Sequence, residues 1–344
     1  MNCWTPTDRR SFPLPSLTTN DEYLVHQIPE PLSVVGIEHQ YWRESYFVVA
    51  HGPEVDSDVI VIAMATYPAR HSLDALVLGR VGGELMGTHH QRGADGDPHT
   101  SVVGPVSVVI EEPFRRVHVV VEATEGFEAD MTFTARTQPY ALRRGRLLDD
   151  DGSLLWDQSH MIQSGTFSGS YRKDGRQASV DGWLGQRDHS WGVRDHGRIP
   201  CWTWFAIQLP DGMFGVWCWE LANGARIFTD GCWAPSDRSD PVAVVEFRHD
   251  LHWTDDGGGV VEYGTDGAGV TGLSGTVVFG LEDGRQVTVR GSGRWCAPYR
   301  PFYGGGQHLM AVETDDGRRG TAIYEVTGRH HHRFFPVPVV PGEV

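Results

Sequence analysis

The chain has 344 residues, 40% of them hydrophobic, with a formal net charge of -16 and a sequence pI near 5.4. That acidity argues against nucleic acid or an anionic membrane as a partner, because both repel it, and leaves neutral or apolar small molecules open. The 42 Gly and 20 Pro predict many turns rather than long helices, hence an all-β chain, and the length favours two domains.

The five cysteines, Cys3, Cys201, Cys218, Cys232 and Cys296, are scattered and form no CxxC pair. They predict neither a disulfide framework nor a zinc knuckle, and a reducing cytoplasm fits them best. The chain does not open on a charged start followed by an apolar run. Its longest apolar stretch, Val59 to Ala65, is too short to span a bilayer, so the expectation is a cytosolic protein without membrane insertion.

From Tyr46 the pattern is strand, turn, strand. Segments rich in Val and Ile at Tyr46 to His51, Val59 to Tyr67, Leu73 to Arg80, Glu84 to His89, Val106 to Glu111, Arg116 to Glu122 and Ala129 to Arg136 are separated by Gly, Pro or Asp clusters. Val59 to Ile62 reads as a strand buried on both faces, and Met131 to Thr137 as one that alternates. His89, His90 and His99 flank the loop-like run Gly93 to Pro98 and read as solvated.

The polar stretch Tyr171 to Asp181 is the best boundary signal, which places an N-terminal domain at 1-175 and a C-terminal domain at 176-344. Strands resume at Cys201 to Leu209, Met213 to Leu221, Val242 to Leu251, Val260 to Gly264, Gly275 to Leu281, Gln286 to Trp295, His308 to Glu313 and Gly320 to Thr327. Two consecutive antiparallel barrels or sandwiches accommodate this order. The Gly257 to Gly259 and Gly304 to Gly306 runs read as turns, not phosphate loops, since no strand and helix flank them. The proline-rich tail Phe335 to Pro341 is expected to lie extended along the surface.

Gly182 to Gly197 opens the second half with two Asp-His pairs, Asp188-His189 and Asp195-His196, two Arg and two Trp. Proton donors and acceptors among apolar rings suit proton transfer near an apolar substrate. Strand alternation puts Arg187, His189 and Trp191 on one face and Asp188, Ser190 and Gly192 on the other, unless a bulge at 190–192 turns Asp188 inward. The competing reading is a purely structural Arg/Asp/His network. A metal site is disfavoured because neighbouring strand residues diverge, and His330 to His332 add no cage spacing, so no metal is expected. No nucleophile elbow or dinucleotide fingerprint is present, and no cofactor is expected.

The Asp211-Gly212 pair predicts a hairpin. Taking those two as the loop sets Trp204 opposite Trp219 and Trp202 opposite Leu221. Trp202, Trp204, Trp217 and Trp219 then share one face, either as core or as the wall of a substrate site able to shelter a cation. Thr203, Phe205, Cys218 and Glu220 share the other.

The run Gly185-Gln186-Arg187-Asp188-His189-Ser190-Trp191-Gly192, with Trp202-Thr203-Trp204-Phe205 and the Pro210-Asp211-Gly212 turn, resembles the carotenoid hydratase (hydroxyneurosporene synthase) and attachment-protein-like superfamily. The Asp-His-x-Trp-Gly core carries the resemblance. It implies two lipocalin-like β domains and roles for His189 and Trp191 in protonating an isoprenoid double bond. The hydratases also use a downstream Tyr-x-Asp pair, where this chain has Cys218-Trp219-Glu220. Glu220 can replace the acid but Cys218 cannot replace the phenol, so the expectation is proton-driven alkene chemistry other than carotenoid hydration. Fold alone does not select among such reactions.

Together these readings predict a cofactor-independent acid/base enzyme on an apolar terpenoid, polyketide or lipid-like substrate, acting by hydration, dehydration, isomerisation or cyclisation. The catalytic candidates are His189, Asp188, Trp191 and Glu220, with Glu220 kept protonated by an apolar pocket. A non-catalytic carrier of hydrophobic ligands is the alternative. Oligomeric state is not encoded legibly.

Overall fold

The computed structural model describes residues 17–24, 38–94, 101–195, 198, 201–299, 303–328 and 332–336. These form two sheets and three short 3-10 turns, with no α-helix among the described residues. Among the described residues no helix is long and apolar enough to cross a membrane.

The first sheet holds, in chain order, β1 (Trp42–His51), β2 (Val59–Tyr67), β3 (Ser72–Val81), β4 (Glu84–Gly93), β5 (Val102–Val103), β6 (Val106–Glu112), β7 (Arg116–Thr124), β8 (Phe127–Ala135), β9 (Tyr140–Leu148), β10 (Leu154–Lys173), β11 (Arg176–Ser179) and β12 (Trp183–Arg194). Its spatial order is β4-β3-β2-β1-β12-β10-β8-β7-β6-β5, with β9 and β11 paired to β10. The two ends approach each other, because Arg92 Nε on β4 donates to the Val102 carbonyl on β5 at 2.6 Å.

The second sheet holds β13 (Cys201–Leu209), β14 (Gly212–Glu220), β15 (Arg226–Pro235), β16 (Val242–His249), β17 (His252–Thr254), β18 (Gly272–Leu281), β19 (Gln286–Pro298), β20 (Gly304–Thr314) and β21 (Arg319–Gly328). The order β16-β15-β14-β13-β21-β20-β19-β18-β17 closes through β16 and β18. The architecture is thus all-β, two consecutive lipocalin-like barrels, as the resemblance implies. Each interior is filled with apolar side chains, among them Val48, Ile60, Ile62, Val119 and Phe133 in the first and Phe205, Phe214, Phe279 and Tyr324 in the second.

The division falls between Asp195 and His196 rather than at 175/176, because β12 pairs with β1 and β10 and completes the first sheet. The Asp-His-Ser-Trp-Gly motif therefore belongs to the first barrel, not to a C-terminal domain. The polar run 171–181 is only the β10–β11 hairpin, with Lys173 opposite Arg176. Val59 to Ile62 is buried on both faces as expected, each at 1% exposure or less, and β8 alternates.

Several expectations are corrected. Val260 to Gly264 is no strand, making one isolated bridge from Val260 to Thr254. Gly304 to Gly306 open β20 instead of turning, and Gly305 (φ +80°) is required there, since a Cβ would lie 1.9 Å from the Val326 carbonyl oxygen. His89 and His90 stand on β4 rather than in a loop, His89 exposed and His90 with Nε2 3.1 Å from Thr88 Oγ1. Phe335 is fully buried in the second core beside Phe334, because apolar burial outweighs the extended tendency of the prolines that follow. The rest of that tail, 337–341, and Cys3, His99, His196, His330 and His331 lie outside the described residues.

Buried histidines couple the stability of both barrels to pH, His51 in the first and His308 in the second with the largest shifts. Burial pulls His51 down to about 4 and His308 down to about 3, against 6.5 for the free side chain. A base held neutral by burial contributes stability that is complete above its unfolded value and is lost as pH falls from 6.5 toward the native values, since the unfolded chain takes up the protons first. His308→Gln is expected to flatten this acid slope in urea unfolding. A slope equal to that of the wild type rules out the assignment.

Candidate active site

The motif strand is buried on both faces. Its register against β1 runs without a break from Trp42 opposite Val193 to His51 opposite Leu184, so there is no bulge at 190–192. Alternation is regular, and Arg187 and His189 lie opposite Val48 and Tyr46 of the interior. Asp188, Ser190 and Arg194 point to the other side.

On the interior side Arg187, 2% exposed, donates from Nη2 to both Glu22 carboxylate oxygens at 2.9 Å and from Nε to Gln163 Oε1 at 3.0 Å. Glu22 Oε2 also accepts the Phe114 amide at 2.9 Å. His189 is fully buried, with Nδ1 2.6 Å from the Asp21 carbonyl oxygen and Nε2 3.1 Å from Glu44 Oε1. A carbonyl only accepts, so Nδ1 carries the hydrogen in that contact. Tyr46 and Trp191 flank the imidazole with ring centroids at 4.9 and 5.3 Å. Both nitrogens of His189 are thereby engaged by protein. Arg187 and His189 clasp the 3-10 turn Thr19–Glu22, and Asp188 is not the partner of His189.

On the opposite side Asp188 Oδ2 lies 3.1 Å from His160 Nε2, with His160 5% and Asp188 8% exposed. Burial pulls the His160 pKa below its ordinary value, Asp188 opposes that, and Arg194 and His189 add to it. Ser190 Oγ accepts from Arg194 Nη2 at 2.6 Å and stands 3.3 Å from Ser45 Oγ. Ser45 Oγ in turn accepts from Arg43 Nη1. This couple of carboxylate and imidazole, set among hydroxyls and guanidinium groups, is the arrangement in the first barrel suited to moving a proton.

In the second barrel Leu209 pairs with Gly212, making Pro210 and Asp211 the loop residues. Pro210 favours this loop because it has no N–H to give to a ladder. Trp202 therefore faces Trp219 and Trp204 faces Trp217, two residues away from the expected register. A shift of two keeps every side chain on its face, so the four tryptophans still share one side. That side is separate from the core cluster, which takes Phe205, Val216 and Cys218.

Glu220, on the core side, differs from its expected state. Burial pushes its pKa up, but hydrogen bonds from His249 and His332 and the charges of His249 and Arg333 outweigh burial and hold it well below the carboxylate range. His249 Nε2 is 3.0 Å from Oε1, His332 Nε2 3.3 Å from Oε2, and Arg226 and Arg333 stand at 3.6 and 3.7 Å. The carboxyl with a raised pKa is Glu325, on the tryptophan side. Burial dominates there over donors from Trp202, Gln307, Thr327 and Tyr299.

Sequence reasoning missed Glu22, Glu44, His160 and Glu325. Glu325 could have been flagged as a lone charge in the apolar run Ala322 to Val326, whereas His160 meets Asp188 only through the β10–β12 register. A shallow cavity of about 240 Å3 near Glu122, Asp130 and Arg172 includes none of these side chains.

Solved structures share this architecture. The AttH-designated protein of Nitrosomonas europaea superposes with a TM-score of 0.57 at 13% identity, covering 89% of this chain and 98% of that one. Kievitone hydratase from Nectria haematococca gives 0.53 at 12% identity over 86% and 93%. CghA with Sch210972 gives 0.52 at 12% identity over 83% and 88%. At these identities the likeness is one of fold alone. No curated protein matches the chain. A family model matches residues 17–263, and the chain belongs to that family, the family of unknown function DUF8625.

Proposed function

We propose that the protein is a cofactor-independent acid/base enzyme that hydrates, dehydrates, isomerises or cyclises an apolar terpenoid, polyketide or lipid-like substrate. The observation that carries this reading is the buried Asp188–His160 couple at 3.1 Å. The carboxylate orients the imidazole and stabilises its charged form, while burial favours the neutral ring, so the couple can take up and return one proton at a carbon centre. His189, clasped at both nitrogens, and Trp191 hold β12 in register and act as positioning residues. Trp202, Trp204, Trp217 and Trp219, which share one face of the β13–β14 hairpin in the second barrel, are by themselves a proposed set of ring faces for an apolar ligand. Glu220 remains ionised and serves as a structural anchor for His249 and His332.

The fold likeness to kievitone hydratase supports hydration as the first reaction to try. The wild-type protein is incubated in deuterated water with isoprenoid and polyketide alkenes, and deuterium at carbon is read by mass spectrometry. Incorporation that His160→Gln removes is the expected result. A carrier binds the same alkenes and incorporates none in either protein, which overturns the enzyme reading.

A further inference from the structure

Two cations on the Asp188 side of the motif strand have no use in the chemistry above. Arg194, 6% exposed, makes a hydrogen bond from Nη2 to Ser190, while its buried Nε has no partner. Its guanidinium lies over the Trp156 ring at 5.8 Å. Arg43 gives Nε to Tyr67 Oη at 3.1 Å and Nη1 to Ser45 Oγ. Tyr67 Oη donates onward to Asp74 Oδ2 at 3.0 Å. Among the described residues neither guanidinium has a carboxylate within ion-pair distance.

The contrast with Arg187 decides what this means. Arg187 is just as inaccessible, and the fold supplies Glu22 and Gln163 to satisfy it. A buried cation without a contacting counter-ion is costly, which applies to Arg194, and the like charge of half-buried Arg43 adds to that cost. Burial and the charge of Arg43 bring Arg194 down to about 9 against the opposing charge of Asp188, whereas for Arg43 burial is outweighed by Tyr67, Asp74 and Asp188, which raise it. Of the two carboxylates on this face, Asp188 is engaged by His160 and Asp74 by Tyr67.

Geometry makes the pair a receptor. Arg43 lies opposite Gly192, and Ser190 and Arg194 flank that glycine on the same face, so position 192 places no side chain between the two arginines. Ser45 and Ser190 are cross-strand partners with hydroxyls 3.3 Å apart. One hydroxyl donates to the other, which leaves one O–H for a ligand oxygen.

We propose that Arg43 and Arg194, with Ser45 and Ser190, bind a carboxylate or phosphate group of a ligand. Planar guanidinium donors match both anions, and a ligand anion supplies the charge the fold withholds. The site shares a face with Asp188 and His160, so the substrate of the acid/base reading is an amphiphile, apolar in its body and anionic at one end. That last step rests on the acid/base reading, whereas the anion site does not.

Calorimetric titration of the full chain with dodecanoate, monododecyl phosphate and dodecanol tests the site. One or both anions are expected to bind, dodecanol much more weakly, and the preferred anion identifies the head group. Arg194→Met and Arg43→Gln are each expected to weaken anion binding by about 10- to 100-fold, the worth of a hydrogen bond to a charged group. Without ligand, Arg194→Met is expected to match or exceed wild-type stability in urea, because it removes an uncompensated buried charge. A structural arginine gives the reverse, lower stability with binding retained. Failure of both anions to bind, or equal binding by wild type and both variants, overturns the proposal. Deuterium incorporation without anion binding leaves the acid/base reading intact and sinks this one, and anion binding without incorporation does the opposite.

Discussion

Arg187→Ala is expected to lower the unfolding free energy by about 3–5 kcal/mol, the loss typical when one member of a buried ion pair is removed. Glu22 is fully buried, and Arg187 meets both of its oxygens. Truncation strands that carboxylate, and Gln163 loses the guanidinium that fills its oxygen. The packing of the guanidinium over the Phe133 ring at 5.5 Å goes as well. The double variant Glu22→Gln with Arg187→Met is expected to recover most of the loss, because two neutral groups of similar shape leave no buried charge. Urea unfolding of Glu22→Gln, Arg187→Met and the double variant forms a thermodynamic cycle. Additive losses show that the pair is not a coupled unit and refute the assignment.

Asp188→Asn is expected to slow turnover by about 100- to 10,000-fold, the range for a group that transfers or orients a proton, with the urea midpoint close to that of the wild type. Asparagine keeps the shape and a polar contact to His160 but cannot stabilise an imidazolium. Because burial holds His160 below 6.5, base catalysis by the neutral ring gives a wild-type rate that is level near neutral pH and declines below that value. The variant loses the electrostatic support of Asp188, so its residual rate declines at still lower pH. A rate unchanged by the substitution removes Asp188 from the mechanism, and a wild-type rate that climbs as pH falls below 6.5 removes the base role of His160.

Composition and periodicity carried much of the fold. Val59 to Ile62 and the alternation of β8 were legible because apolar burial writes a period into the sequence. β10 was not, since Gln158, Ser159, His160, Gln163 and Ser164 interrupt its apolar pattern, yet Gln158, His160, Gln163 and Ser164 are buried. A strand whose interior partners are polar has no hydrophobic signature to read. Losing β10 also lost the domain boundary, because β10 is what ties β12 to the first sheet.

The same reasoning governs the site. Local alternation correctly separated His189 and Trp191 from Asp188. Partners that arrive from distant segments, Glu22 for Arg187 and His160 for Asp188, have no local trace, since their contacts depend on sheet order. The tryptophan face survived an error in hairpin register because the error was even. An odd one would have exchanged Trp219 for Glu220.

The position of β12 in its sheet also bears on how the protein is made. It lies between β1 and β10, so the earliest strand of the first barrel waits for a partner encoded some 140 residues later. Until the ribosome has delivered residues 183–194, β1 and β10 present unpaired edges to each other, the condition under which nascent chains recruit chaperones or aggregate. The segment that carries Asp188, Ser190 and Arg194 is thus also the one that completes the first sheet, and a nascent chain that stalls before it has no complete first barrel.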